Sequence, residues 1–246
     1  MRRALAILCV FSFADPILGV SEIGRRLELP KTTVHRLLAT LVAEGFIERT
    51  EGGRYHLGLK LYEIGQQAVQ NHGLRQIGHG PLERLRNETG ETAHLAILSG
   101  SDVLYVDRLE SPQLMKLMTS VGRRRAAHAT STGKCLLAFG TPHDVDVVLA
   151  TGLPRLAPRT IATKSALKQS LAETRKNGYA VSLNESAPEV VSVGAPIFDR
   201  NGACVAAVSV AGPALRMPPD SLDRTIRLVV RTAAEISAGL AKEPRW

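Results

Sequence analysis

Residues 20–57, VSEIGRRLELPKTTVHRLLATLVAEGFIERTEGGRYHL, decide the reading of this chain. Their spacing predicts two short helices, a tight turn and a β-hairpin. Val34, Leu37, Leu38 and Leu41 recur at i, i+3, i+4 and i+7, the stripe by which an amphipathic helix faces a core. Thr32 and Arg36 then point away from that stripe, Thr33 and His35 flank them, and Lys31 stands at the helix mouth. These side chains offer donors and acceptors suited to base edges and phosphates, and form the expected DNA-reading set. In the helix before, Ser21 reads as the N-cap and Ile23 and Leu27 share a face. Glu28-Leu29-Pro30 connects the two, because Pro30 disfavours helical geometry at Leu29. That is helix-turn-helix spacing. Past Gly45, read as a C-cap, the extended runs 46–49 and 54–57 flank Thr50-Glu51-Gly52-Gly53. A wing is expected there, with Arg54 near its tip reaching phosphate or minor groove. Core packing alone explains the apolar stripe, but not a polar-fronted second helix followed by a Gly-Gly hairpin ending in Arg and Tyr.

Upstream of this stretch, Met1-Arg2-Arg3 and ALAILCVF combine a basic start with an apolar run, as a secretory leader does. The run is short, and its removal would strip the helix that a winged domain needs over its helix pair. Residues 2–13 are therefore read as that helix, ended by Asp15-Pro16, and the protein as cytoplasmic. No other segment is long and apolar enough to span a membrane. Downstream, LKLYEIGQQAV places Leu61, Ile64 or Gly65, and Ala68 on one side of a helix. This seam suggests self-association, and recognition helices are commonly presented in pairs about 34 Å apart on DNA. Asn71-His72-Gly73 reads as a break. The expected division is a winged helix-turn-helix domain over 1–58, a linker helix over 59–72 and a second domain over 73–246, an α+β chain of two domains.

The 31 Lys and Arg against 23 Asp and Glu leave a net charge of +8, which favours a polyanionic partner. Residues 1–70 hold nine of the basic and seven of the acidic residues, so the DNA argument rests on placement and not on bulk charge. Cys9, Cys135 and Cys204 stand singly in apolar surroundings, suiting buried thiols in a reducing compartment better than disulfides or a zinc site. The seven histidines are scattered; His94 and His128, in different elements, are the pair that could meet. No metal site and no cofactor are expected.

The second domain reads as a helix over 74–89 interrupted at 78–81, a hairpin of strands 93–98 and 103–109, and a third strand over 114–121. Helices follow to Phe139 and over 142–151 and 165–178, then strands 179–183, 190–198 and 203–211. Leu222, Ile226, Val229, Ala233, Ile236 and Leu240 mark a long amphipathic helix over 218–242. Strands interrupted by helices indicate a mixed α/β sheet covered by helices. Within it, Thr130-Ser131-Thr132-Gly133 opens a helix whose free N–H groups favour an anion, with Lys134 adding charge. A bound carboxylate is the expectation. The Gly-Lys pair lacks the first glycine of a phosphate loop, and Ser131-x-x-Lys134 lacks the companions of a serine acyl-transferase, so no catalytic residue is assigned.

Taken together, RALAIL, LPKTTVHRLLATL, GRYHLG, GETAHLAIL, GRRRAAHATSTGK, APRTI, NGYAV, VGAPIFDRNG and AVSVAGP resemble, in order and over nearly the whole chain, the IclR family of bacterial transcriptional regulators. The resemblance implies a winged N-terminal domain, a GAF-like effector-binding and oligomerisation domain, dimers often paired into tetramers, and control by a small organic molecule, frequently a carboxylate. It places His128 to Lys134 in the effector pocket. Of the family's other pocket positions, Ser182 stands where many relatives have Asp, Ser192 replaces a usual Cys, Ser209 is kept and Ala211 replaces a second Ser. The segment 184–189 lacks the customary Glu-Pro-Gly. The expected function is a sequence-specific regulator, repressor by default, of a double-stranded DNA operator, responding to a small organic acid. The alternative is an enzyme acting on a small carboxylate, with the helix-turn-helix as a docking module.

Overall fold

A computed structural model describes residues 1–12, 14–70, 73–114, 124–218 and 222–242, with 68–70 by backbone alone. The chain divides into two compact units, Met1–Asn71 and His72–Trp246.

In the first unit, α1 (Arg2–Cys9), α2 (Val20–Leu27) and α3 (Lys31–Ala43) precede a hairpin of β1 (Ile47–Arg49) and β2 (Tyr55–Leu57), and α4 (Leu59–Gln70) follows. One core holds the first three helices and the hairpin: Ile7 and Phe11, Leu18, Ile23, the α3 stripe Val34, Leu38 and Leu41, then Ile47 and Tyr55. Helix α1 is shorter than the span 2–13 expected for it, and its Cys9 is exposed and not buried. Nor does Ser21 cap α2. The N-cap is Gly19, whose amide donates to the Glu22 carboxylate at 2.7 Å, an acidic side chain reaching back over the positive end of its own helix. The α2–α3 turn depends on Glu28 in the left-handed region, φ 54°, before the extended Pro30. Gly45, φ +75°, lies one residue beyond the Glu44 C-cap, where a left-handed residue lets the chain leave the helix. Beyond the hairpin, Leu18 and Tyr55 exchange both backbone hydrogen bonds at 2.9 Å, fastening β2 to the segment before α2.

The second unit is a six-stranded sheet of order β5-β4-β3-β8-β7-β6: β3 (Thr92–Ser99), β4 (Asp102–Leu109), β5 (Arg124–Ala126), β6 (Ala180–Leu183), β7 (Val190–Phe198) and β8 (Cys204–Pro213). Every ladder in it is antiparallel. Helices α5 (Gly73–Thr89) and α9 (Leu222–Lys242) pack on one face through Leu74, Leu82 and Leu85 and through Val229, Ala233 and Ile236, against Leu95, Val193 and Val208. The other face carries α6 (Ser131–Phe139), α7 (Pro142–Thr151) and α8 (Lys164–Asn177), around Leu136, Leu137, Leu167 and Leu171. Helix α5 runs unbroken through Pro81, contrary to the interruption expected at 78–81. A Cβ on Gly78 would stand 2.7 Å from Leu95 Cδ2, so the glycine brings the helix down onto the sheet. No strand was expected where β5 forms; the strand expected over 114–121 lies outside the described residues apart from Leu114, which is an exposed bend. Among the described residues no helix is long and apolar enough to cross a membrane.

Candidate functional sites

At the start of α3 the polar residues stand clear of the core. Lys31, Thr32, His35 and Arg36 are exposed and Thr33 is half-buried, while Val34 and Leu38 between them are fully buried. Among the described residues no hydrogen bond or ion pair engages these five side chains. Pro30, the N-cap, has no side chain to satisfy the first amides. The helix therefore presents an uncapped, positive N-terminus ringed by unengaged donors, the arrangement that accepts phosphate.

The wing differs from expectation at Arg54. Its Nη2 donates to the Ile17 carbonyl at 2.9 Å and to Glu22 Oε2 at 3.0 Å, so this guanidinium ties β2 to α2. Glu22 has its pKa lowered, chiefly by the Gly19 amide bond and further by Arg54. The cation at the turn is Arg49, whose Nη2 lies 3.4 Å from the Cβ position of Gly53. No sequence spacing separates these two arginines; hairpin register does, pairing Arg49 with Tyr55 and leaving Arg54 at the foot of the turn beside α2.

A cavity of about 170 Å3 lies in the second unit between the start of α6 and the sheet. Strand register builds its floor. His94 on β3 pairs with Ser209 on β8, which pairs with Gly194 on β7; beside this row run Thr92, Ala211, Ser192 and Ser182. In each strand the polar residue alternates with apolar neighbours that face the opposite core, as Val191 and Val193 do about Ser192 and Val208 and Val210 about Ser209. A Cβ on Gly194 would stand 3.0 Å from the Ser131 carbonyl carbon and 3.1 Å from the Thr132 amide nitrogen, so α6 opens directly on β7. Thr130 is its N-cap and accepts from the Gly133 amide at 3.1 Å. Ser131 Oγ donates to Ser192 Oγ at 2.9 Å, and Thr132 Oγ1 is buried beside the Tyr105 hydroxyl.

Of the expected pocket residues, Thr130, Ser131, Thr132, Ser192, Ser209 and Ala211 line this cavity. The other four support it from behind. Lys134 is buried with Nζ 2.7 Å from Glu185 Oε1 and 2.6 Å from the Val181 carbonyl, so its charge is spent on an ion pair and adds nothing to the anion site. A carbon on Gly133 would overlap the Ala127 carbonyl oxygen. Ser182 donates to the Ala129 carbonyl at 3.0 Å. His128 Nε2 bonds the Pro154 carbonyl at 3.2 Å; burial lowers its pKa and that bond opposes the shift. His94 and His128 do not share a metal site, and among the described residues no cluster of His, Cys, Asp or Glu could hold an ion.

The remaining wall comes from residues not singled out for a pocket on the sequence: Tyr105 and His94, Arg125, and Ser186, Ala187 and Val190. The rings of His94 and Tyr105 stack at 4.5 Å between centroids. Burial drives the His94 pKa down to about 3, helped by the charges of Arg108 and Arg125, so the imidazole is neutral. Burial raises the Tyr105 pKa against the charge of Arg125 and a hydrogen bond with the Thr132 hydroxyl. A polar residue alternating with buried apolar ones was the available signal for His94. Arg125 and Ser186 carried none, because strand pairing and a loop fold bring them in.

A winged helix-turn-helix joined to a sheet domain with a cavity at a helix start is the build of a transcription regulator that carries its own sensor. The model of the IclR bacterial transcriptional regulator C-terminal domain matches residues 66–238, and that of the IclR helix-turn-helix domain matches 1–51. This chain belongs to the IclR family, and it is a DNA-binding transcriptional regulator. It is 36% identical over 243 residues to the HTH-type transcriptional regulator BhcR of Paracoccus denitrificans, covering 98% of this chain and 87% of the relative. Over 248 residues it is 32% identical to the HTH-type transcriptional repressor AllR of Klebsiella pneumoniae, covering 100% and 91%. The crystal structure of an IclR homolog from Microbacterium hydrocarbonoxydans complexed with 4-hydroxybenzoate superposes with a TM-score of 0.84 at 28% identity, covering 98% of each chain. These relatives give no support to an enzyme with a docking module.

Proposed function

We propose that this regulator reads a double-stranded operator with Lys31, Thr32, Thr33, His35 and Arg36 of α3, and that a small organic acid in the cavity changes operator occupancy. One observation carries the first half: five polar side chains leave the start of α3 with no partner among the described residues, around an uncapped helix N-terminus. Arg49 supplies the wing cation. The effector half rests on the open amides of Ser131 and Thr132 and the Arg125 cation, which together favour a carboxylate. A relative that binds 4-hydroxybenzoate supports the same reading. The protein acts in the cytoplasm as a repressor, since blocking a promoter requires only occupancy. It acts as a dimer or a pair of dimers through α4, where Ile64 of the expected seam is exposed, as are the apolar Leu59 and Tyr62 outside it.

Binding of the purified protein to DNA upstream of its own gene, with excess unrelated duplex in near-physiological salt, tests the reading. Competitor-resistant binding that a small acid relieves is expected. Binding that the competitor abolishes leaves only the general attraction of a basic protein for phosphate, and sinks the operator assignment for that DNA.

A further inference from the structure

Resting on the cavity as the effector site, we propose that Lys134 and Glu185 are positioning residues for the effector. Their buried ion pair holds the loop 184–189, which carries Ser186 and Ala187 into the cavity wall, where a ligand meets it. Neither charged side chain lines the cavity itself. Lys134 stands one turn beyond Ser131 on α6, so the pair joins two walls of one space: the start of α6 and the loop between β6 and β7.

The loop is held from several sides. Lys134 Nζ also donates to the Val181 carbonyl on β6 at 2.6 Å, and the Asn184 amide donates to the Val190 carbonyl at 2.8 Å, closing the loop on itself. The Ala214 amide donates to the Glu189 carbonyl at 2.8 Å. From the segment before α8, the Thr160 hydroxyl donates to the Glu185 carbonyl at 2.6 Å and accepts from the Ala157 amide at 2.7 Å, while the Arg159 amide donates to the Asn184 carbonyl at 3.3 Å. Asn184 and Glu189, at the two ends, have φ of 55° and 57°. Asparagine enters this left-handed region readily; a glutamate stays there only when its surroundings impose it. Stability alone does not call for the ion pair. Burying two charges costs desolvation that their attraction roughly returns, and well-packed apolar side chains of similar volume serve a fold as well or better. What the pair adds is one fixed placement of the loop against α6. A wall set before the ligand arrives spares binding the cost of ordering it.

The double variant Lys134→Met/Glu185→Leu of the full-length protein tests this, because it removes both charges together and strands neither. Its melting and its operator affinity without acid are expected to match the parent's. The Asn184 and Arg159 amides should exchange with solvent at least about tenfold faster than in the parent, while those of Leu95 and Val208 in the central strands do not change. Of 4-hydroxybenzoate, lactate and succinate, titrated calorimetrically, each acid that binds the parent should bind the double variant about tenfold more weakly. Thr160→Val, which loosens the loop from its other side, should weaken the same acid by about threefold, and it carries the test if the double variant does not fold. Equal acid affinities in parent and variants, or unchanged exchange of the two loop amides, overturn the positioning role and leave the effector reading standing. If none of the three acids binds the parent, the effector reading falls and the positioning role falls with it.

Discussion

Helix α3 opens on Lys31-Thr32-Thr33 and helix α6 on Ser131-Thr132-Gly133-Lys134, yet nearly the same local chemistry serves opposite surroundings. At α3 the lysine and the threonine beside it are exposed and free of partners, so an extended polyanion can approach from solvent. At α6 every residue from Ser131 to Ala138 is buried, the lysine is neutralised within the fold, and the open donors face a closed space. A helix N-terminus is thus an anion site only in the sense that the surrounding structure permits. Exposure selects a macromolecule, and enclosure a small molecule.

The largest effect separating the two ends is expected at the buried lysine. Glu185→Ala removes the carboxylate from Lys134 Nζ and leaves a buried charge on one carbonyl, which should cost the second unit about 3–5 kcal/mol. Lys31→Ala should leave melting unchanged. Denaturant unfolding of both variants checks this, and equal stabilities would erase the contrast.

Next is a pH effect confined to the enclosed site. The folded-state pKa of His94 is about 3, below the ordinary 6.5, so the unfolded chain takes up a proton between those values that the folded chain refuses. Its contribution is therefore present above pH 6.5 and is lost as pH falls, at up to about 1.4 kcal/mol per pH unit. Melting at pH 7 and pH 5 should show a shallower loss in His94→Asn than in the parent; parallel slopes would place the imidazole in water.

At the exposed end the effects fall on binding. Arg36→Ala should weaken specific operator binding by roughly 1–3 kcal/mol with stability unchanged. An affinity equal to the parent's would remove Arg36 from the reading face. Smallest is Lys31→Ala, expected to weaken specific and unrelated DNA alike and to reduce the salt slope by about one. A loss restricted to one sequence would make Lys31 a base-reading residue.

How much was legible follows from how local each determinant is. The helix pair, the hairpin and the α9 stripe Leu222, Ile226, Val229, Ala233, Ile236 and Leu240 answer to periodicities that neighbours in sequence set, and the structure buries that stripe, Ile226 only in part. The caps were less readable. Ser21 and Gly19 both suit a helix start, and only the reach of Glu22 to the Gly19 amide decides between them. Side chains long enough to choose partners were read worst: Lys134 inside the fold and Arg54 on its surface are each engaged by a glutamate distant in the chain.

The sequence by itself determined the winged helix-turn-helix, the α/β second domain and the placement of Ser131, Thr132, Ser192 and Ser209 in one pocket. Turn chemistry, helical period and strand alternation are local or pairwise properties, and the order of motifs supplied the rest. Only the tertiary structure decided that Tyr105, Arg125 and Ser186 join that pocket, that Lys134 leaves it, and that Arg49 stands at the wing turn while Arg54 is held at its foot. Those outcomes depend on strand register and on which charges folding brings within reach, and both are settled only when elements far apart in the chain come together.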